Sequence, residues 1–169
     1  MDALRRLNDA AADTARAFLL RCCGSSAWAD AMIARRPFED PAGLLTAADQ
    51  VWQGLAPDDW REAFAHHPQI GDREALRTRF ASTREWAAGE QDGAAAASDE
   101  VLEALAAGNR DYEERFGYIF IVCATGKTAP EMLALLRERL PHSPEEELPI
   151  AAGEQARITR LRLQKLLQS

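Results

Sequence analysis

The sequence predicts an all-α fold: a single-domain multi-helix bundle with one buried extended segment at about residues 117–126. The helices are predicted because apolar residues recur every three or four positions along nearly every periodic stretch. Residues that favour helix N-termini precede several of these stretches. One short apolar run between glycines lacks helical spacing and predicts the extended segment.

The length and composition suit one domain. The 169 residues are 47% hydrophobic and 28% charged, as in an ordinary soluble globular protein with a sizeable core. No linker-like stretch divides the chain. The motif AAGEQ occurs at residues 87–91 and 151–155, but five residues are too few to indicate a duplication. We therefore expect residues 1–169 to form a single domain.

Two helical stretches are expected between residues 40 and 68. Asp40-Pro41 is a favourable N-cap and first-turn pair. The apolar stripe that follows consists of Leu44, Leu45, Ala48, Val51, Trp52 and Leu55. From Pro57, the helical spacing continues through Trp60, Phe64 and His67. Because proline disfavours helical geometry in the residue before it, Pro68 should end this helix at His67.

Later helix starts are indicated by hydroxyl residues. The capping-box spacing, Ser or Thr followed three positions later by Glu, occurs at Ser82–Glu85, Thr128–Glu131 and Ser143–Glu146. Ser98 is expected to cap a long helix that carries Val101, Leu105, Tyr112 and Phe116 on one side. In the last helical region, Pro149 predicts a kink or a break.

The run GYIFIVCATG, residues 117–126, is rich in β-branched and aromatic residues and predicts a buried strand. No second convincing strand is present to pair with it. Its backbone N–H and C=O groups still need partners. Loops and water are the commoner partners, and a polar ligand lying along the segment is the alternative.

Charge and hydropathy exclude several classes of partner. The formal net charge of −7 argues against nucleic acid, because phosphate binding needs a basic surface. A small anionic substrate is not excluded, since a few local donors outweigh distant screened charges. No stretch approaches the ~18–20 apolar residues of a membrane span.

The cysteines indicate a reducing compartment. Cys22, Cys23 and Cys123 are odd in number, and two are adjacent, so they do not resemble a disulfide framework. The first residues lack the uninterrupted apolar core of a signal peptide. We therefore expect a cytoplasmic protein.

Metal and nucleophile patterns are weak. Adjacent histidines such as His66 and His67 rarely bind one ion, and neither HExxH nor CxxC occurs. Cys22-Cys23 has no histidine nearby in the sequence, and GxSxG is absent.

His67 is a stronger candidate for a catalytic residue. Histidine before proline more often caps or packs, but a side chain held at the end of an element also suits acid–base catalysis.

A family resemblance combines these features. The run HHPQIG, then GEQ, then NRDYEERFGYIFIVCATGK and a closing ITRLRL, resembles the 2-oxo-4-hydroxy-4-carboxy-5-ureidoimidazoline (OHCU) decarboxylases of urate breakdown. The likeness runs from ARRPF at residues 34–38 to the C-terminus. It implies an all-helical enzyme that uses no cofactor or metal and converts its substrate to (S)-allantoin and CO2. It also admits a homodimer, although no stretch of the sequence indicates an interface.

The resemblance implies the site residues. The catalytic histidine is the one before proline, His67, and Glu90 is its acidic partner. The implied substrate-binding residues are Pro68, Ala87, Gln91, Phe120, Ile121, Val122, Cys123 and Ala124. The segment at residues 117–126 is thereby implied to line the pocket, through backbone groups. Asn109, Tyr112, Arg115 and Gly117 also fit the family pattern, as scaffold or pocket wall.

One departure concerns a serine. Ala87 stands where the family has serine in Ser-x-x-Glu-Gln. A rival alignment uses Ser82 and Glu85, but then Trp86 replaces the glutamine. Because Ser82 and Glu85 already form a capping box, worth about 1 kcal/mol, we favour Glu90 with Gln91.

The second AAGEQ copy and the protein class remain to be interpreted. The AAGEQ copy at residues 151–155 follows no histidine motif, and we expect a structural role alone for it. A non-enzymatic helical module that binds partner helices through an apolar groove would also fit an acidic chain with four tryptophans.

Overall fold

The computed structural model describes residues 2–67 and 92–169, with the backbone alone for residues 92–98. All regular elements in these ranges are helices, which confirms the all-α prediction. They are α1 Ala3–Asp9, α2 Ala12–Cys22, α3 Ser26–Ala34, α4 Pro41–Gln53, α5 Pro57–Ala65, α6 Asp92–Phe116, α7 Ala129–Arg139 and α8 Pro144–Gln168. None of them combines the length and apolarity that crossing a membrane requires.

Contacts within the chain divide it into two compact units. The terminal unit contains Met1–His67 and Leu148–Ser169, and the central unit contains Pro68–Glu147. That residues 1–169 form a single domain stays a prediction. Each unit has its own apolar core, described below.

The predicted caps at three helix starts are confirmed. The Asp40 carboxylate accepts a hydrogen bond of 2.7 Å from the backbone N–H of Gly43 at the start of α4. Thr128 caps α7 through a 3.3 Å bond from the N–H of Glu131. Ser143 and Glu146 bond each other reciprocally at the start of α8. These caps depend on residues three apart, so the local sequence is enough to predict them.

Indole groups hold the terminal unit together. Helix α3 packs against α2, α4 and α5. The Trp28 Nε1–H donates to the carbonyl of Ala48 at 3.2 Å, and the Trp52 Nε1–H donates to Ala152 at 2.9 Å. Because their polar atoms are paired, both rings are buried without an unsatisfied donor. The fully buried side chains of this unit include Leu19, Trp28, Met32, Leu44, Phe64 and Leu163. Each contributes about 1.5–3 kcal/mol by leaving water.

Helix α5 is joined to the start of α3 by a carboxylate. Glu62 accepts hydrogen bonds of 2.8 Å from both the backbone N–H and the hydroxyl of Ser26. The first N–H groups of a helix have no partner within it, so this side chain serves as a cap from another helix. The two bonds lower the pKa of Glu62 below its ordinary value. Helix α5 ends at Ala65, two residues before His67, as Pro68 predicts.

The central unit is built on the contact between α6 and α7. Its buried cluster contains Leu102, Leu105, Ala106, Tyr112, Val122, Ala129, Met132, Leu133 and Leu136. A Cβ on Gly108 would lie 2.5 Å from the Leu136 Cδ2, so a glycine is what permits this close approach. Gly117 ends α6 with a φ of 83°, and its N–H donates to the carbonyl of Glu113 at 2.8 Å. This left-handed conformation favours glycine at a helix C-terminus.

The predicted cap of α6 is wrong, and α8 is continuous at its proline. Helix α6 begins at Asp92, so Ser98 is an interior residue and not its cap. The alanines at residues 94–97 are strong helix formers, and they extend the helix beyond the hydroxyl signal. Helix α8 runs through Pro149 without a break, and the alternative of a kink there stays a prediction. The bond that this proline removes would end on the carbonyl of Glu145 in the exposed first turn, where water can replace it.

The predicted strand is also absent. Residues 119–124 belong to no regular element, and the described part of the chain contains no strand to pair with them. Charged side chains bind the carbonyls instead. Arg139 Nη1 donates to Ile121 at 2.6 Å, and Lys127 Nζ donates to Cys123 at 2.7 Å. The segment is nevertheless buried at Ile121, Val122 and Cys123, as expected from its composition.

Candidate active site

His67 lies just beyond the C-terminus of α5. The preceding residue, His66, is the C-cap of that helix, and the backbone N–H of His67 donates to the carbonyl of Phe64 at 3.2 Å. This bond continues the last turn of α5 and fixes the position of the His67 backbone relative to that helix. Because Phe64 is fully buried, the histidine is attached to a packed element.

A cavity of about 240 Å³ lies beside this histidine within the terminal unit. Its lining comes from α2, the connection to α3, α5 and α8, and consists of Leu20, Arg21, Gly24, Ala63, His66, His67 and Arg162. Two guanidinium groups and two imidazoles therefore face one small space. Such a combination suits an anionic ligand and a proton transfer.

The two arginines differ in their surroundings. Arg21 is exposed, and its guanidinium lies 5.8 Å from the centre of the Phe18 ring. Arg162 is half-buried, and its Nη1 lies 3.4 Å from the carbonyl oxygen of Cys22. A partly desolvated guanidinium attracts a carboxylate more strongly than one in water, so Arg162 is the better anion ligand.

Gly24 forms part of the cavity wall by close packing. A Cβ at this position would lie 2.5 Å from the His66 Cβ and 2.7 Å from its Cγ. The connection between α2 and α3 thus approaches the end of α5 more closely than any side chain would permit. This contact places the His66-His67 pair.

A hydrogen-bonded chain runs from His67 into the protein. The His67 Nε2 is paired with the Gln155 Oε1, and the Gln155 Nε2 donates to the Thr159 Oγ1 at 3.0 Å. Gln155 is fully buried. A buried amide needs its partners, because an unpaired polar group in the interior costs about 1–3 kcal/mol. The two bonds give one partner to each end of this amide.

The two cysteines of the terminal unit, Cys22 and Cys23, are poor nucleophiles. Both are buried, and neither forms a disulfide. Burial raises the pKa of Cys22 and of Cys23 to about 11, so both thiols are protonated at neutral pH. Since the thiolate is the reactive form, neither residue suits nucleophilic catalysis. Among the described residues, no three His, Cys, Asp or Glu side chains converge as a metal site would require.

A family model described as OHCU decarboxylase matches residues 8–164. The chain belongs to the OHCU decarboxylase family. Two relatives agree. The uric acid degradation bifunctional protein TTL of Arabidopsis thaliana is 40% identical over 145 residues, which are 86% of this chain and 45% of that protein. The OHCU decarboxylase of Amia calva is 31% identical over 135 residues, 79% of this chain and 75% of that protein.

Solved structures agree with the fold. A crystal structure of OHCU decarboxylase in the presence of (S)-allantoin matches with a TM-score of 0.69 and 36% identity, over 89% of this chain and 96% of that one. A crystal structure of (S)-allantoin synthase matches with a TM-score of 0.70 over 97% of this chain and 54% of that one. At 20% identity, the second comparison shows the shared fold alone.

Several of the residues that the family resemblance implies lie outside the described ranges. These residues are Pro68, Ala87, Glu90 and Gln91, together with Ser82 and Glu85 of the rival alignment. The choice between Glu90 and Glu85 therefore stays a prediction.

The implied pocket segment at residues 120–124 belongs to the central unit. Ile121, Val122 and Cys123 are buried, and Phe120 and Ala124 are half-buried. The Arg139 guanidinium lies 4.6 Å from the centre of the Phe120 ring. That these five residues bind substrate stays a prediction of the family resemblance.

The family's scaffold positions make structural contacts. The Arg115 guanidinium donates to the carbonyl oxygen of His142, and the Arg115 Nη2 lies 2.7 Å from that oxygen. The Tyr112 hydroxyl donates to the buried Glu147. The Arg115 contact joins α6 to the connection before α8, and the Tyr112 contact joins α6 to the first turn of α8, which fits the scaffold interpretation.

Two residues of the site were missed by sequence reasoning. Arg162 lies in ITRLRL, which carries part of the family resemblance, but no role was inferred for it. Gln155 lies in the second AAGEQ copy, for which a structural role alone was expected. The fold brings Gln155 to the His67 ring, 88 positions away in the sequence, and this contact was not predicted. No local pattern reports such a contact.

Proposed function

We propose that this protein decarboxylates OHCU to (S)-allantoin and CO2 without a cofactor, with His67 as the acid–base residue. The observation that carries the proposal is the meeting of His67 and Arg162 in one cavity. OHCU carries a carboxylate and a hydroxyl on the same carbon, C4. A guanidinium and an imidazole are the groups that bind the first and exchange a proton with the second. Family membership over residues 8–164 supports this substrate.

The chemistry explains why no cofactor is needed. The bond between C4 and the carboxylate carbon breaks, and CO2 leaves. The electron pair of the broken bond stays on C4 and forms a C4=C5 double bond. The π electrons of the C5=N bond move to the nitrogen, which takes up a proton. The enol formed then loses its hydroxyl proton and gains a proton at C5. The products have C4=O and a new stereocentre, and one proton is consumed for each carboxylate ion.

The protein's contribution is orientation and proton transfer. His67 exchanges the proton of the C4 hydroxyl, and Arg162 aims the carboxylate. Following the family resemblance, Glu90 orients or polarises His67 or the substrate, and Gln91 binds the ring or the ureido group. A well-placed acid–base group contributes about 10²–10⁴-fold in rate, and positioning supplies the remainder.

Stereochemistry provides the test. OHCU is generated in situ from urate, and the formation of (S)-allantoin is followed by circular dichroism. The wild-type protein should give one enantiomer rapidly, whereas the spontaneous reaction is racemic. Unaltered spontaneous kinetics would instead favour the non-enzymatic helical module. His67→Asn should lose the enantiomeric excess, and His66→Asn, its matched comparison, should lose far less. An undiminished excess with His67→Asn would show that His67 is not the acid–base residue.

The proposal also includes a cellular compartment and an oligomeric state. We place the protein in the cytoplasm because none of its three cysteines forms a disulfide, as is usual in a reducing compartment. By family analogy the enzyme is a homodimer. Light scattering after gel filtration tests this, and a mass near 18.6 kDa would contradict it.

A further inference from the structure

We infer that Gln155 is a positioning residue that holds neutral His67 in the tautomer protonated on Nε2. The inference rests on the proposed acid–base function of His67 and deepens it, because it identifies the ring atom that exchanges the proton. Gln155 lies in the interior and acts on the reaction through His67.

The contact itself is direct. The Gln155 Oε1 is the hydrogen-bond partner of the His67 Nε2. Gln155 is fully buried, whereas His67 is half-buried beside the cavity. The amide therefore reaches the ring from the protein interior. An amide oxygen can accept but not donate, so the nitrogen facing it must carry a proton.

The orientation of the amide is set by what lies behind it. The Gln155 Nε2 donates to the Thr159 Oγ1 at 3.0 Å, one helical turn further along α8. Because the NH2 end of the amide donates to this hydroxyl oxygen, the amide oxygen is the end that faces His67.

The consequence concerns the other ring nitrogen. In a neutral imidazole with Nε2–H, the lone pair lies on Nδ1. Proton uptake by this ring therefore occurs on Nδ1. When it occurs, the Nε2–H bond to Gln155 persists, and the ring need not turn. A glutamine also adds no charge, so it fixes the tautomer without stabilising the imidazolium as a carboxylate would.

Nitrogen-15 NMR tests the tautomer without any activity measurement. The protein has only three histidines, so His66→Asn, His67→Asn and His142→Asn spectra assign the ring signals. We expect the neutral His67 ring of the wild type to be protonated on Nε2 and unprotonated on Nδ1. Thr159→Val, which removes the acceptor behind the amide, should give a mixture of tautomers, and Thr159→Ser should restore the wild-type pattern. A wild-type ring protonated on Nδ1 would overturn the inference.

The pH profile of kcat is the second readout. Gln155→Glu places a carboxylate beside the ring and should raise the apparent pKa of the kcat profile by about 1 unit or more. Gln155→Leu keeps the volume but loses the bond, and should lower kcat about 10–100-fold with little change in KM. Gln168→Glu is the control, because Gln168 is exposed on the same helix.

The two readouts separate this inference from the proposed function. If the wild type does not accelerate the reaction, the proposed function fails, and the tautomer spectrum still decides whether Gln155 positions His67. If the wild type is active but the Gln155 variants leave both the tautomer and the pH profile unchanged, the positioning role is wrong and the function stands.

Discussion

Gly24 and His66 are packed so closely that a Cβ on Gly24 would lie 2.5 Å from the His66 Cβ. Atoms near the backbone of the C-cap residue cannot move aside as the far end of a side chain can. The end of α5 is therefore placed by a residue that has no side chain. Because His67, the proposed acid–base residue, follows directly, we expect this contact to affect activity as well as stability.

Gly24→Ala should displace the end of α5 and impair both properties. We expect a loss of about 1–3 kcal/mol in the free energy of unfolding, as for other overpacked sites, and a reduced kcat/KM. Denaturant titration and the allantoin assay measure the two effects. Gly153→Ala is the matched control, since a Cβ there meets nothing within 4 Å and alanine favours the interior of α8. Equal kcat/KM values for the two variants would contradict the assigned role of Gly24.

Arg162→Gln should weaken substrate binding. The cavity would lose its half-buried guanidinium, so we expect KM for OHCU to rise at least tenfold, with a smaller loss in kcat. Arg160→Gln is the control on the same helix, because Arg160 is exposed and lies 3.5 Å from Asp49 in a surface ion pair. Similar KM values for both variants would remove Arg162 from the substrate site.

Glu62 should make stability depend on acid pH. Its pKa in the folded protein is lowered by the two Ser26 bonds, so its stabilising contribution is complete above the unfolded value of about 4.3. The contribution disappears as pH falls through the folded pKa. Glu62→Gln should therefore be less stable than wild type at pH 7, and the difference should shrink toward pH 3.

Urea midpoints at the two pH values measure this difference. The exposed Glu39 offers a control, and Glu39→Gln should change stability little at either pH. A Glu62→Gln deficit of the same size at both pH values would show that the carboxylate charge is not what caps α3.

Arg139→Met should be strongly destabilising. Arg139 and Glu147 form a buried ion pair, with the Arg139 Nε 2.8 Å from the Glu147 Oε2. Removing the guanidinium leaves the fully buried Glu147 carboxyl group without its arginine partner and also removes the partner of the Ile121 carbonyl, at a cost of about 3–5 kcal/mol.

The double variant Arg139→Met/Glu147→Gln separates these causes. Glutamine removes the uncompensated charge but keeps oxygen and NH2 groups for the Tyr112 hydroxyl and its neighbours. We expect the double variant to recover part of the lost stability in denaturant titration. No recovery would mean that lost packing and the Ile121 carbonyl dominate, and not the buried charge.

Local signals predicted much of the architecture. The caps at Asp40, Thr128 and Ser143 each bond a residue three positions along, so a short window contains all that is needed. The same reasoning failed at Ser98, because the preceding alanines continue the helix past its hydroxyl. It failed at residues 119–124 because the partners of their carbonyls are cationic side chains and not a second strand.

By itself the sequence determined the helical class, the starts of α4, α7 and α8 and, through its motifs, the family, and it predicted His67 as the catalytic candidate. These properties follow from neighbours along the chain and from residue identities. Only the tertiary structure showed that Gly24 packs against His66, that Arg162 shares a cavity with His67, and that Gln155 bonds the His67 ring. The physical reason is distance along the chain: hydrogen bonds and packing depend on separation in space, and residues 88 positions apart, such as His67 and Gln155, show no periodic pattern in the sequence.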